Sequence, residues 1–436
     1  MSFLATRARL FLILNVTVRC YIYSTCCPIS FFITYSAVKV QFFAELHKDL
    51  RRKIIKSCGI TCVYHLFAVY LHEINRLALN WKSDRMFCED IHSALDSLVS
   101  RYDEAVVVRD ESLQPSTVSR QLSEGSCLWL KGGEAQKKIE TVERVWDFLL
   151  EKGVTRRGVL VAIGGGVLTD IAGFAASTYK RGIDWVAVPT TLLAMVDAST
   201  GGKTGINYRG LKNSIGSFYP PVETLIWSGW LETLPAREML SGFGEMLKMG
   251  LVDVRRKDVR CTKGSDRLWE TLMRYDLDTM PIESLTPLIK ACVEAKERIV
   301  AADPKEEGLR KVLNFGHTFG HAIEQLIIHD SQFTIIPHGY AVVYGMIAEL
   351  YLSVVRLGCP KEPLQQLTRL MTEYYGRPQC KCSDRSRLIE LMRCDKKNER
   401  AGEINCTLLR DIGEPVINEV ITEPEAGEAL DYLFSL

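Results

Sequence analysis

The chain has almost no net charge, no internal repeat, no low-complexity tract and no regular spacing among its cysteines, and each absence removes a class of function. Its 54 Lys and Arg against 53 Asp and Glu leave a formal charge of +1. That figure hides an uneven split: residues 1–85 hold 12 basic and 4 acidic side chains, so residues 86–436 hold 42 and 49. The larger part is mildly acidic, which argues against nucleic acid as a partner and requires any anionic substrate to be drawn by a local cluster of cations. The 14 cysteines include two close pairs, Cys58 with Cys62 and Cys380 with Cys382, yet no second pair stands at zinc-site spacing. Free thiols in a reducing, cytoplasmic compartment are the expectation. A chain of 436 residues that is 47% apolar and 25% charged is globular and long enough for two domains.

The first 85 residues also lack clear marks of a targeting or membrane segment. The run from Leu10 to Val18 is apolar, and Cys20 to Val38 is uncharged. Against a span, Arg19 and Lys39 interrupt the stretch, Pro28 and several hydroxyl residues dilute it, and no small-residue cleavage site stands out. Residues 1–85 are therefore read as an extension of uncertain status, with the working protein beginning near Met86. No chemistry is assigned to them, and no membrane partner is expected for residues 86–436.

From Met86 the pattern becomes regular. Ile91 to Tyr102 has helical spacing, and Glu104 to Val108 reads as a buried strand ending at Asp110. Thr141 to Leu150 is an amphipathic helix. Gly158 to Ile163 is a strand that runs into Gly164-Gly165-Gly166, with a helix from near Asp170 through Tyr179. Strand, glycine turn and helix form a unit in which backbone N–H groups and a helix N-terminus can meet a pyrophosphate, although a glycine triplet serves a plain tight turn equally well. Asp184 to Val188 is a second buried strand, ending in Pro189-Thr190-Thr191, where ligands of parallel sheets bind. Arg181, Lys203 and Lys212 supply positive charge nearby.

From Leu234 the character is helical. Pro235 opens one helix, in which Glu245 and Lys248 share a face among apolar neighbours. A long helix covers Ile282 to Ala301 and carries Lys296. The next stretch, Asn314-Phe-Gly-His-Thr-Phe-Gly-His-Ala-Ile-Glu324, places His317 and His321 four apart on one helical face, able to hold an ion or move a proton. Such a pair arises without any site, so the case depends on what converges with it: Pro337-His338-Gly339 follows at the start of an apolar helix over 338–358, and Asp395-Lys-Lys-Asn398 comes after a short helix.

Taken in order, Gly164-Gly-Gly166 with Asp170, Lys180-Arg-Gly182, Pro189-Thr-Thr191, Asp197, Gly202-Lys203-Thr204, Lys212-Asn213, Gly244-Glu245 with Lys248, Gly308-Leu-Arg310, Asn314 to His321 and His338-Gly339 resemble 3-dehydroquinate synthases, from about residue 86 to the end. The resemblance implies an N-terminal Rossmann-like α/β domain that binds NAD, residues 86–232, and a mainly α-helical metal- and substrate-binding domain, residues 233–436. It implies Glu245, His317 and His338 as ligands of a divalent metal, zinc first and cobalt as an alternative; two imidazoles and a carboxylate with an open position suit catalytic zinc. By the same likeness Glu134, Lys137, Gly165, Gly166, Asp170, Thr190, Thr191 and Lys212 line NAD. Arg181, Asp197, Lys203, Asn213, Lys248, Lys296, Arg310, Asn314, His321 and one lysine of Lys396-Lys397, taken as Lys396, surround the substrate.

The implied reaction belongs to the shikimate route to chorismate and the aromatic amino acids. It converts 3-deoxy-D-arabino-heptulosonate 7-phosphate to 3-dehydroquinate and phosphate by NAD-recycled oxidation, elimination, reduction and aldol closure, with His321 as the base. A homodimer is the implied assembly. Two departures from the family pattern stand out: Tyr340 where many members have Glu, and a basic stretch over 254–266. Rival readings are a sister sugar phosphate cyclase such as a 2-epi-5-epi-valiolone synthase, a metal-dependent polyol dehydrogenase, and a non-catalytic NAD- or metal-binding protein. The sister cyclases usually lack the second histidine, polyol dehydrogenases typically use an aspartate in the ligand set, and a non-catalytic chain would have lost a ligand or the base.

Overall fold

A computed structural model describes residues 84–113, 124–253, 268–330, 332–394, 398, 400 and 402–436, and the backbone of 9–13, 17–22 and 29–34. Lys396, the basic stretch 254–266 and the pair Cys58 and Cys62 lie outside the described residues. Tertiary contacts divide the chain into Met1–Asn80 and Trp81–Leu436. In the first unit, β1 (Arg9–Ile13), β2 (Thr17–Ile22) and β3 (Ile29–Thr34) pair antiparallel. The second unit begins before the expected boundary: β4 (Asp84–Phe87) already contains Asp84 and Arg85, and it pairs along its whole length with β11 (Glu223–Ile226).

The second unit opens with a six-stranded sheet. Its members are β4, β5 (Ala105–Asp110), β6 (Cys127–Leu130), β7 (Val159–Gly164), β8 (Asp184–Pro189) and β11, in the order β4-β11-β8-β7-β5-β6, every pairing parallel. Val159 to Ile163 are fully buried, as an unbroken apolar run must be in a parallel strand covered on both faces. From β5 the chain moves outward to β6, then returns to the other side of β5 as β7 and continues to β8. The carboxyl ends of β5 and β7 therefore flank a switch point, where open α/β sheets bind ligands.

Helices cover both faces. Asp90 accepts hydrogen bonds from the N–H groups of His92 and Ser93 and caps α1 (Ile91–Val99), which buries Ile91, Leu95 and Leu98. The opposite face packs α2 (Ile139–Glu151) and α3 (Gly166–Thr178) in a core that includes Val145, Leu149, Ile171 and Ala175. Two further strands, β9 (Lys203–Tyr208) and β10 (Leu211–Phe218), form a hairpin.

After β11 the chain is mainly helical: α4 (Ala236–Val252), α5 (Leu268–Met273), α6 (Thr286–Ala302), α7 (His317–His329), α8 (His338–Leu357), α9 (Glu362–Leu370), α10 (Arg385–Arg393) and α11 (Glu423–Ser435), with a hairpin of β12 (Ile404–Leu409) and β13 (Pro415–Ile421). The α6 helix begins at Thr286 rather than at the expected Ile282, because Pro287 occupies its first turn and residues 282–285 form a separate tight 3₁₀ turn. The α8 helix is apolar enough to span a membrane by composition, yet two-thirds of its apolar window is buried against α4, α7 and α11. One core cluster joins the α1 face of the sheet to these helices, with Leu95 and Val161 in the same cluster as Phe243, Phe319 and Met346.

Candidate active site

The helix α7 begins at His317 because Gly316 adopts a left-handed conformation (φ 78°) that turns the chain into it. The buried carboxylate of Glu349, on α8, accepts the N–H groups of Gly316 at 2.7 Å and Thr318 at 3.2 Å, so a fixed anion closes the positive end of α7. His317 is thereby held at the first position of α7 and His338 at the first of α8, while Glu245 comes from the middle of α4. His317 Nε2 stands 3.6 Å and His338 Nε2 3.5 Å from Glu245 Oε1. One ligand atom from each residue lies within 4.8 Å of the other two. His317 Nδ1 contacts the Phe315 carbonyl at 3.0 Å, which fixes the ring and leaves Nε2 directed at the cluster. The His321 ring centroid is 5.2 Å from that of His317 and 6.0 Å from that of His338.

The charges of this cluster are interlocked. Glu245 is 1% exposed, and among the described residues neither of its oxygens receives a hydrogen bond of sound geometry, although Lys248 and both imidazoles approach closely. Lys248 meets Oε2, while Oε1, set between the two imidazoles, still calls for a positive partner. Burial and Asp197 would raise the Glu245 carboxyl, but Lys248 and His338 together hold it low. Burial would lower the His338 imidazole, yet Glu324 and Glu245 push it up to about 10. The space between these side chains thus favours positive charge, and its donor set of two imidazoles and one carboxylate fits a divalent metal.

Asp197 sits in a single π-helical turn, Ala194–Ala198, after β8; such turns recur at functional sites. It meets Lys296 Nζ through both its carboxylate and its backbone carbonyl, the latter at 2.7 Å, and stands 3.8 Å from Lys248 Nζ. Burial opposes its ionisation, but the two lysines hold it well below the usual carboxylate range. Burial lowers Lys296, whereas Lys248, despite burial, is raised by Glu245 and Asp197.

Beyond them, Arg310 is clamped by the carbonyls of Pro304 at 2.7 Å and Gly201 at 3.2 Å, and its buried Nε has no hydrogen-bond partner among the described residues. Burial lowers its guanidinium. Glu306 joins Lys203 and accepts from Asn314 Nδ2 at 3.1 Å. Sequence reasoning gave Glu306 no role, although it stands in the run leading to Arg310; its left-handed backbone (φ 63°) was not visible in the residue order. Arg181 is exposed in the turn after α3 and Asn213 is exposed on β10, apart from the ion pairs of Asp197 with Lys248 and Lys296 and of Glu306 with Lys203. Tyr340 does not enter the cluster either: its ring meets that of Tyr375 edge to face at 4.9 Å.

A second group gathers at the carboxyl ends of β7 and β8. Gly165 and Gly166 open α3, Thr190 is buried, and Thr191 Oγ1 accepts the Ala194 N–H at 3.2 Å. Lys137 Nζ meets Asp170, and Asn207 Nδ2 donates to Glu134 Oε1 at 2.7 Å. Burial raises Asp170, with Lys137 opposing. Asn207 also accepts the Asn213 N–H at 2.8 Å within the hairpin, and its bond to Glu134 ties the hairpin to this group. Lys212, on β10, turns instead to Glu324 of α7 at 3.0 Å.

The sequence matches the family profile described as 3-dehydroquinate synthase N-terminal over residues 127–241 and that described as 3-dehydroquinate synthase C-terminal over residues 242–398. It is similar to a 3-dehydroquinate synthase of Parabacteroides distasonis, 40% identical over 354 residues that make up 80% of this chain and 96% of that one. Another, from Alkaliphilus metalliredigens, is 38% identical over 333 residues, 75% of this chain and 89% of its own. Among solved structures, the 2-epi-5-epi-valiolone synthase of Streptomyces hygroscopicus, with NAD⁺ and Zn²⁺ bound, gives a TM-score of 0.63 at 28% identity, covering 81% of this chain and 96% of that one. A 2-deoxy-scyllo-inosose synthase complexed with carbaglucose-6-phosphate, NAD⁺ and Co²⁺ shares the fold, with a TM-score of 0.64 at 22% identity over 80% and 96% of the two chains. With two adjoining profiles matched, the second containing all three cluster residues, and relatives near 40% identity over most of their length, the chain belongs to the 3-dehydroquinate synthase family, phosphate-eliminating lyases that make 3-dehydroquinate.

Proposed function

We propose that Glu245, His317 and His338 hold a divalent metal, zinc or alternatively cobalt, and that NAD lies along Glu134, Lys137, Gly165, Gly166, Asp170, Thr190, Thr191 and Lys212. The observation that carries the first assignment is the buried, under-bonded carboxylate of Glu245 facing two imidazole nitrogens. The valiolone and inosose synthases, which carry NAD⁺ with Zn²⁺ or Co²⁺, support both groups. Asp197, Lys203, Lys248, Lys296, Arg310, Asn314 and His321 then surround the sugar phosphate, and we extend the same reading to Arg181, Asn213 and Lys396. The NAD-binding part takes residues 86–232 and the metal-binding part 233–436, close to where the last sheet strand gives way to helices.

When bound, the metal acidifies substrate hydroxyls and NAD accepts and returns a hydride, so the chain's own side chains need only hold the substrate and move protons. His321 shares a face of α7 with His317, one turn on, and takes the proton of the hydroxyl that is oxidised. Lys296 and Lys248, pinned by Asp197, present fixed ammonium groups at the cluster. The free Nε of Arg310 suits an anionic oxygen of the carboxylate or phosphate, and a preorganised cation in a buried site holds such a group far better than water does. Binding of an anion by Lys203 exchanges its Glu306 partner for substrate.

Exposed Tyr208, Leu211 and Phe218 on the β9–β10 hairpin support a homodimer, which sedimentation tests. The described cysteines are free thiols, in keeping with a cytoplasmic enzyme. Phosphate release from 3-deoxy-D-arabino-heptulosonate 7-phosphate with catalytic NAD⁺ and zinc, followed together with NADH absorbance, tests the whole reading. Many turnovers without accumulated NADH, with dehydroquinate as product, are expected. Turnover of sedoheptulose 7-phosphate alone, or steady NADH formation from a simple polyol, would overturn it.

A further inference from the structure

Glu324 stands on α7 seven residues after His317 and three after His321, continuing their face of the helix. It is 7% exposed, and its two oxygens point to different groups. Oε2 lies 3.5 Å from His338 Nδ1, and Oε1 lies 3.0 Å from Lys212 Nζ. His338 turns its other nitrogen, Nε2, to Glu245. An imidazole that ligates through Nε2 must carry its proton on Nδ1, and a carboxylate accepting that N–H fixes the ring and makes it a better donor. Lys212 arrives from β10, in the hairpin whose Asn207 binds Glu134. One buried carboxylate therefore reaches from the metal-ligand set to the group assigned to the cofactor.

We infer that Glu324 is a positioning residue that couples the two sites, one oxygen orienting His338 toward the metal and the other holding Lys212 for the dinucleotide. The inference rests on the reading of Lys212 as a cofactor group. When an anionic dinucleotide draws Lys212 away, the charge of Glu324 acts on His338 alone and the metal is held more tightly. Coupling between binding equilibria is reciprocal, so the metal must tighten the dinucleotide by the same factor.

The test measures zinc affinity by chelator competition, with and without saturating NAD⁺, and NAD⁺ affinity with and without zinc, on the full chain. In the wild type each is expected to tighten the other by the same factor, about fivefold or more. Glu324→Gln should weaken zinc about 10- to 100-fold and bring the coupling factor near one. Lys212→Ala should bind zinc without NAD⁺ about as tightly as the wild type does with NAD⁺, because Glu324 then acts on His338 alone, and should also lose the coupling, which separates the carboxylate's role from general loosening even where Glu324→Gln folds poorly. Both ligands binding the wild type with no mutual effect, or Glu324→Gln retaining wild-type zinc affinity, would overturn the inference. Failure of the wild type to bind NAD⁺ would sink the cofactor reading and the Lys212 arm with it, while zinc affinity of Glu324→Gln still decides the His338 arm.

Discussion

His317 and His321 are one turn apart on α7, yet their surroundings assign them different work. His317 faces the buried oxygen of Glu245, and its other nitrogen is tied to a carbonyl. His317→Ala should leave the protein without bound zinc and without turnover, as metal analysis after dialysis would report; full metal content would refute the ligand assignment. His321→Ala should keep its zinc and lower kcat by about 10²- to 10⁴-fold, the usual worth of a proton-transfer group. Asp303 works at a distance from the metal set. Its carboxylate accepts the N–H groups of Glu307 at 3.0 Å, Gly308 at 2.7 Å and Arg310 at 2.9 Å, and so shapes the loop that presents Glu306 and Arg310. Burial works to raise it, but these donors prevail and hold it low. A depressed carboxylate stabilises the fold fully above the ordinary aspartate value of about 3.9 and loses that contribution as pH falls through its lowered value. Denaturant unfolding should therefore show Asp303→Asn less stable than wild type at neutral pH, with the gap closing as pH falls below the ordinary aspartate value.

At the scale of elements, α7 and α8 approach so closely that Gly345 of α8 lies against the start of α7. A Cβ built there would stand 1.9 Å from the Gly316 carbonyl oxygen and 2.6 Å from the Gly320 nitrogen, both backbone atoms that cannot swing aside. Alanine in a helix interior is favoured over glycine by about 1 kcal/mol, but forcing volume into a packed interior costs about 1–3 kcal/mol. The second effect wins here, because giving way means moving the turn that starts α7. Gly345→Ala is expected to lower unfolding free energy by roughly 1–2 kcal/mol and to weaken zinc, since His317 and His338 begin the two displaced helices. Urea unfolding of the metal-free protein and chelator competition would show both effects; unchanged zinc affinity would mean that α8 absorbs the methyl without shifting α7.

For the whole molecule, the boundary that matters is the start of the sheet. Arg85, which burial lowers to about 10, pairs with Glu297 of α6 and so ties β4 to the helical half. A chain beginning at Trp81 should keep full zinc binding and phosphate release. One beginning at Met86 loses half of β4 together with that ion pair, and should unfold at lower denaturant by roughly 1–3 kcal/mol, more than an exposed pair would cost because strand pairing is lost with it and Arg85 is partly buried. Equal stability of the two chains would show that the strand's first half is dispensable. Much of this architecture was legible in the residue order. The buried runs at 104–108, 158–163 and 184–188, the glycine turn and the histidine spacing are local patterns, and strands and helices formed there with boundaries shifted by a few residues. Glu306 and Glu324 were not legible as site residues, because a carboxylate's role depends on partners far along the chain: Lys203 for one, Lys212 and His338 for the other. The sequence by itself determined which side chains share a helix face and where the chain must turn, since periodicity and backbone sterics act over a few residues. Only the tertiary structure decided that Glu245 of α4 meets the first residues of α7 and α8 and that Glu324 stands between metal ligands and hairpin, since those meetings follow from how whole faces bury against one another.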